Sequence, residues 1–178
     1  MGIELFTAPL DVARETTRER AVEALGVLQL GDSPELQALV EDARRSFGTA
    51  MAAVSIIYRD WQYVLAATGL PKGVYSRRAS LCDHPVTESR RVFYTTDVPR
   101  DLGLAETLDA VGDTVVGFHA GASLLDPDRL ALGTFCVFDS KPRAALTGRE
   151  AVRLRRYADA AMASIGSLRP PAPQSASL

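Results

Sequence analysis

The segment Leu124–Asp139 constrains the fold of this chain more than any other. Its residues, LLDPDRLALGTFCVFD, form two apolar runs on either side of the polar group Asp126–Arg129. Proline and aspartate are typical of tight turns, so the pattern predicts two antiparallel strands joined by a short turn. Gly133 lies inside the second run, where a glycine predicts a bulge or the close approach of another group.

Apolar spacing and end residues predict three helices. Ser33 and Pro34 are typical of an N-cap followed by the first helical residue, and Gly48 is typical of a helix end. The first and last helices are each predicted to begin with a capping box, at Thr16 and Thr147, because a glutamate follows each threonine by three residues. The predicted helices span residues 16–28, 33–47 and 147–165.

Runs rich in β-branched and aromatic residues predict the strands of one sheet. With helices at both ends of the chain, they predict an α+β fold with an antiparallel sheet of five or six strands. The domain is predicted to span residues 16–165, between an N-terminal extension (1–15) and a Pro/Ser/Ala-rich tail (166–178) expected to be disordered. The predicted strands are 50–58, 61–69, 92–95, 115–125 and 130–139.

Composition and charge exclude several classes of protein. The net charge of −2 and the pI near 5.7 argue against a general nucleic-acid binder. The apolar runs are shorter than a membrane-spanning helix needs, and the N-terminus lacks the features of a secretory signal. The two cysteines give neither a disulfide framework nor a metal-ligand pattern, so we expect a cytoplasmic protein and no metal ligands.

The first and last helices also predict a homodimer. Their apolar stripes, which in the last helix include Leu154 and Ile165, are wider than packing on one sheet face requires. Helix bundles bury such stripes against partner helices, so we expect the dimer to form through Thr16–Leu28 and Thr147–Ile165.

Three segments resemble the GAF domain family. They are Ser80–His84 (SLCDH), Gly117–Leu124 (GFHAGASL) and Leu132–Asp139 (LGTFCVFD). They follow, in the same order, the family motifs Ser-Phe-Cys-Ala-His, Phe-Tyr-Ala-Gly-Ala-Pro-Leu and Leu-Gly-Thr-Leu-Cys-Val-Ile-Asp. The resemblance covers about Arg18–Ile165. It implies helices on one face of the sheet, a pocket under loops and short helices on the other, and a sensor of a small organic ligand or protein partner in signal transduction.

The resemblance leaves the cofactor unknown. The chain contains no asparagine, so it lacks the Asn-Lys-Phe-Asp-Glu signature of some GAF domains that bind cyclic nucleotides. Cys82 and His84 are separated by one residue, whereas phytochrome-like GAF domains attach a bilin through adjacent cysteine and histidine. No motif for haem or a metal is present.

The candidate ligand-binding residues lie in the three similar segments and in the strand 92–95. His119 is a departure from the family, which usually has tyrosine there. Because strand residues alternate, His119 and Phe118 are expected on opposite faces, and one of them is expected to line the pocket. Cys136 is expected to pack in the core. The candidate residues are Cys82, His84, Phe93, Tyr94, Phe118 and His119.

Three functions remain open from the sequence. The first is a sensor domain without enzyme activity, with its pocket between the sheet and the segment 78–113. The second is a cysteine-based redox sensor or reductase that uses Cys82, and a disulfide to Cys136 requires their Cα atoms to lie within about 7 Å. The third is a dimerisation module with a vestigial pocket.

Overall fold

The structure, a computed structural model, describes residues 12–83, 91–100 and 115–168. In these ranges an antiparallel sheet has the strand order β3-β2-β1-β6-β5-β4, with three helices. The helices are α1 (Val12–Leu25), α2 (Pro34–Phe47) and α3 (Gly148–Ser167). The strands are β1 (Met51–Tyr58), β2 (Trp61–Thr68), β3 (Val74–Ser76), β4 (Val92–Thr95), β5 (Phe118–Leu125) and β6 (Ala131–Asp139). The predicted α+β fold is confirmed.

The predicted hairpin is formed by β5 and β6. Its turn closes with hydrogen bonds between Asp126 and Leu130: the Asp126 amide donates to the Leu130 carbonyl (3.0 Å), and the Leu130 amide donates to the Asp126 carboxylate (2.7 Å). On its other side, β6 pairs with β1, so β6 lies in the centre of the sheet.

Gly133 marks the predicted close approach. A Cβ atom at this position would lie 2.0 Å from the carbonyl oxygen of Ser55 on β1, which is too close for any side chain. The glycine therefore allows β1 and β6 to pair without a gap.

The helix starts were predicted correctly for α2 and α3 and wrongly for α1. Ser33 accepts a hydrogen bond from the Leu36 amide, and Thr147 forms the predicted capping box with Glu150. Thr16, however, lies within α1, and its hydroxyl donates to the Val12 carbonyl (2.9 Å). A threonine inside a helix forms this bond with the preceding turn, so the local pattern alone did not locate the N-cap.

Two further elements differ from the prediction. The edge strand β3 was not predicted, because three residues are too few to show a periodic pattern. Helix α3 extends to Ser167, two residues past the predicted domain end at Ile165.

The main core lies between the helices and one face of the sheet. Leu154 and Ile165 of α3 are fully buried there, as are Ala52 and Val54 of β1 and Phe135 of β6. The stripe that predicted a dimer is therefore covered by this chain's own sheet and helices. The use of Leu154 and Ile165 as dimer contacts was wrong, because both side chains pack fully inside this chain.

A second, smaller core lies on the other face of the sheet. Leu81 and Cys82, together with Val98, pack here against Met51 and Phe138. Leu81, Cys82 and Val98 belong to the described parts of the segment 78–113, so the prediction that loops and short helical turns cover this face is confirmed. No helix among the described ranges is long and apolar enough to span a membrane.

Candidate functional site

The candidate site lies on the sheet face opposite the helices. On β5, Phe118 and Ala120 point into the main core, so the intervening His119 points to the other face. On β6, Cys136 points to that same face, where it belongs to the smaller core.

Cys82, His119 and Cys136 form a buried group that we call the Cys–His–Cys cluster. The two Sγ atoms are 3.1 Å apart, and His119 Nε2 lies 3.3 Å from Cys136 Sγ. The three donor atoms all lie within 4.8 Å of one another. His119 and Cys136 are fully buried and Cys82 is 2% exposed, so the cluster is screened from solvent.

A short loop, tied to α1, positions Cys82. The Cys82 amide donates to Ser80 Oγ (3.1 Å), and Ser80 directly follows the 3-10 turn Arg77–Ala79. Arg77 binds the Asp83 carboxylate (2.8 Å) and the Glu15 carboxylate of α1 (2.5 Å). These ion pairs hold the loop against the sheet beside Cys136.

A row of polar side chains leads across the sheet to Cys136. Gln62 Nε2 donates to Ser55 Oγ (3.1 Å), Ser55 Oγ lies 3.5 Å from Thr134 Oγ1, and Thr134 Oγ1 lies 3.3 Å from Cys136 Sγ. Gln62 is 8% exposed, and the other three residues are fully buried. The NH2 group of Gln62 donates into the row at Ser55, and the Cys136 thiol donates into it at Thr134. If Cys136 loses its proton, the two hydroxyls can turn so that Thr134 donates to the Cys136 sulfur.

The two thiols differ in acidity. The hydrogen bond from Cys136 lowers the pKa of Cys82 well below its usual value, against the opposing effect of burial and with support from His119. Burial and the neighbouring Cys82 raise the pKa of Cys136 well above its usual value. The first proton to leave the pair is therefore that of Cys82, and a thiolate there is the nucleophilic form of cysteine.

Aromatic rings surround His119. Its ring centre is 5.0 Å from that of Phe138 and 5.9 Å from that of Phe93. The ring nitrogen Nδ1 is buried and has no hydrogen-bond partner among the described residues, so Nε2 is the nitrogen engaged with the thiols.

A small cavity of ≈ 20 Å³ adjoins Cys82, enough space for about one water molecule. The buried thiol therefore adjoins a small cavity with a mostly apolar lining. The lining residues are Ala53, Gln62, Val64, Leu70, Tyr75, Ser80, Leu81, Cys82 and Phe138.

The structure brings together Cys82, Phe93 and His119 from the predicted set. Phe118 lies on the other face, where it lines a separate groove of ≈ 290 Å³ with Phe47 and Arg143. Tyr94 pairs with Ala120, which places it on the helix side, and it is 42% exposed. His84 lies outside the described residues.

Sequence reasoning missed the polar row and the place of Cys136 in the site. A usable signal was present, because Ser55 and Thr134 interrupt otherwise apolar strands and Gln62 follows the start of β2. A polar residue in a strand buried on both faces needs a partner.

Comparison with known proteins gives one relative and a group of similar structures. No protein-family model matches the chain. A cyclic di-GMP phosphodiesterase of Pseudomonas aeruginosa is 31% identical over 155 residues, which are 87% of this chain and 26% of the relative. The chain thus spans about a quarter of the length of this relative.

The similar structures share one fold. The GAF domain of an Acinetobacter phosphoenolpyruvate-protein phosphotransferase superposes with a TM-score of 0.65 (12% identity; 88% of this chain and 94% of that chain). A type II free methionine-R-sulfoxide reductase of Thermoplasma acidophilum gives 0.60 (11%; 86% and 96%). The PixJ GAF domain of Thermosynechococcus elongatus gives 0.56 (16%; 89% and 90%). This chain therefore has the fold of the GAF domain, as the three sequence motifs predicted.

Proposed function

We propose that this chain is a regulatory sensor domain that binds a small organic ligand on the sheet face of the Cys–His–Cys cluster. The observation that carries the proposal is the line of buried polar side chains there, which runs from Gln62 to His119 beside the smaller apolar core. Ligand sites combine an apolar lining with a few placed polar groups. Of the residues predicted from sequence, Cys82, Phe93 and His119 belong to the proposed site.

The relative supports a place in signalling. Its name describes an enzyme that acts on cyclic di-GMP, and the aligned part is about a quarter of its length. A match of that extent does not identify the part that performs hydrolysis, so the proposal is confined to sensing and includes no enzyme activity. We propose that the domain works in the cytoplasm and passes its signal to a protein partner.

Ligand-dependent stabilisation tests the sensor proposal. Small molecules that co-purify with the protein are extracted, identified by mass spectrometry and added back to the stripped protein. A ligand at 100 times its dissociation constant adds about 2.7 kcal/mol to the free energy of unfolding, which thermal denaturation detects. His119→Phe and Thr134→Val are expected to abolish this gain, whereas Tyr94→Phe, on the other face, is expected to retain it. Equal stabilisation of all four proteins would place the ligand elsewhere.

The 3.1 Å contact between the thiols favours a second candidate, a redox sensor. A hydroperoxide oxidises the Cys82 thiolate to a sulfenic acid and is itself reduced to an alcohol or water. The Cys136 thiol then attacks that sulfur, the S–S bond forms and water leaves.

Mass spectrometry after peroxide treatment tests this candidate. The oxidised chain is expected to lose two hydrogen atoms and to contain a Cys82–Cys136 peptide cross-link, and Cys82→Ser is expected to prevent both. If both thiols of the peroxide-treated protein still react with a thiol label after unfolding, the redox candidate is wrong.

We keep the homodimer and the dimerisation module as proposals, because α1 and α3 each expose an apolar side chain on their outer surfaces. Val12 of α1 and Val152 of α3 are 76% and 55% exposed, so an apolar contact with a second chain would use these residues. A stable dimer without any stabilising ligand would favour the dimerisation module.

A further inference from the structure

We propose that the Cys–His–Cys cluster is a binding site for a soft divalent metal ion of the Zn²⁺ class. This inference goes beyond the sensor proposal and departs from the sequence, which predicted no metal ligands. It rests on three donor atoms delivered by three separate elements: the loop at Cys82, strand β5 at His119 and strand β6 at Cys136.

The distances fit a tetrahedral ion after a small adjustment. Bonds of about 2.3 Å to sulfur and about 2.0–2.1 Å to nitrogen place neighbouring donors roughly 3.5–3.8 Å apart. His119 Nε2 and Cys136 Sγ are 3.3 Å apart, and the two Sγ atoms are 3.1 Å apart. The loop that carries Cys82 needs to move outward by less than about 1 Å to admit the ion.

The chemistry of the donors selects this class of ion. Thiolate and imidazole ligands favour Zn²⁺ over Mg²⁺ or Ca²⁺, which prefer oxygen. When Zn²⁺ binds, Cys82 and Cys136 each lose a proton, so two S–Zn bonds form and two protons are released. The two thiolates balance the charge of the ion and the imidazole stays neutral, which leaves a fully buried site without net charge.

The polar row provides a second argument. The Cys136 thiol donates to Thr134 Oγ1 (3.3 Å), and Gln62 donates to Ser55 at the other end of the row. When metal binding removes the thiol proton, Ser55 can donate to Thr134, and Thr134 can donate to the Cys136 thiolate. A buried sulfur that only packs in a core needs no such donors, whereas a metal-bound thiolate is oriented and stabilised by them. Three protein ligands also leave the fourth position of the ion for water or a small molecule.

Metal titration of the reduced chain tests the site. After treatment with a chelator, the protein is titrated with Zn²⁺ and, in parallel, with Co²⁺, whose absorption reports thiolate ligation and tetrahedral geometry. We expect one ion per chain, a thiolate-to-cobalt charge-transfer band and a higher melting temperature with Zn²⁺. Because the metal alone is the probe, the result is independent of whether an organic ligand binds.

Four variants separate the outcomes. His119→Phe is expected to lower Zn²⁺ affinity by more than about 100-fold and Thr134→Val by about 10-fold, the scale of a lost second-layer partner. Cys82→Ser is expected to remove the charge-transfer contribution of that sulfur, and Tyr94→Phe is expected to bind as the unsubstituted chain does. His119→Phe keeps both thiols, so it remains informative if Cys82→Ser does not fold.

Two results would overturn the proposal. Zn²⁺ affinity unchanged in His119→Phe would assign the bound ion to another part of the surface. A reduced protein that binds no Zn²⁺ but forms the Cys82–Cys136 disulfide with peroxide would identify the cluster as a redox pair only.

Discussion

Gly133 shows how one residue can determine the pairing of two strands. The carbonyl oxygen of Ser55 occupies the space that a side chain at position 133 would need, and Ile56 Cα would lie only 2.8 Å from the added Cβ. Both contacts involve backbone atoms of β1, which cannot move away by a change of rotamer as a side chain can. The close pairing also holds Ser55 beside Thr134 in the polar row.

Gly133→Ala is expected to lower the free energy of unfolding by about 3 kcal/mol, because overpacking against backbone forces the strands apart. Urea denaturation at neutral pH measures the loss. Gly148→Ala is the matched control: nothing lies within 4 Å of the added methyl group, so its effect is expected to stay within about 0.5 kcal/mol. Similar stabilities of the two variants would show that the β1 backbone shifts to accommodate the added methyl group at little cost in free energy.

At the scale of elements, Glu15 connects α1 to the loop of Cys82. It pairs with Arg18 of its own helix and with Arg77 of the 3-10 turn, both at 2.5 Å. Burial would raise the pKa of Glu15, but hydrogen bonds from the two guanidinium groups outweigh it and lower the pKa to about 2. The same Arg77 binds Asp83, next to Cys82.

Glu15→Gln is expected to destabilise the protein by about 2 kcal/mol at pH 7, because it leaves the buried Arg18 without its carboxylate. The loss is smaller than for a fully buried ion pair because Glu15 keeps some exposure to solvent. The pKa is lower in the folded state, so the contribution is fully present above about pH 4.5 and is lost as the pH falls toward 2. Urea denaturation from pH 7 to pH 3 should therefore show the two proteins converging below pH 4.5, while the exposed Glu41→Gln should have little effect throughout. A difference that is independent of pH would contradict the role of the charge.

The N-cap of α2 gives a second prediction at this scale. Ser33→Ala removes the acceptor of the Leu36 amide and is expected to cost about 1 kcal/mol. Ser33→Asp supplies another acceptor at the same place and is expected to retain most of the stability. Thermal denaturation compares the two, and equal losses would mean that the cap contributes little.

At the scale of the whole molecule, the sheet separates two environments. One face packs against α1, α2 and α3 in a continuous apolar core, and the other carries the Cys–His–Cys cluster under loops. Substitutions on the two faces of the sheet are therefore expected to affect different properties of the protein. A change on the helix face tests stability, and a change on the cluster face tests binding.

The proposed homodimer is tested on exposed residues. Leu154→Glu and Ile165→Glu are expected to unfold the chain, since both side chains are fully buried. Val152→Glu is expected to leave the fold intact and to convert a dimer to a monomer if α3 forms the interface. Light scattering at roughly tens of micromolar, where interfaces of standard size persist, measures the state. A monomeric unsubstituted protein would contradict the dimer.

The sequence determined the elements and much of the fold because their signals are local. The alternation of β5 and β6, the turn at Asp126, the end residues of α2 and the need for glycine at position 133 all depend on neighbours in the chain or on backbone geometry. The same local reasoning failed at Thr16, whose hydroxyl bonds the preceding turn of α1, and at β3, which is only three residues long.

Only the tertiary structure decided the candidate site. Cys82 and Cys136 are 54 positions apart, and no local pattern indicates that their sulfur atoms meet or that His119 joins them. The pairing of β5 with β6 and the ion pairs that hold the Cys82 loop bring these side chains together. The physical reason is that strand alternation specifies which residues share a face, whereas the register between strands and the path of a covering loop specify which of them touch.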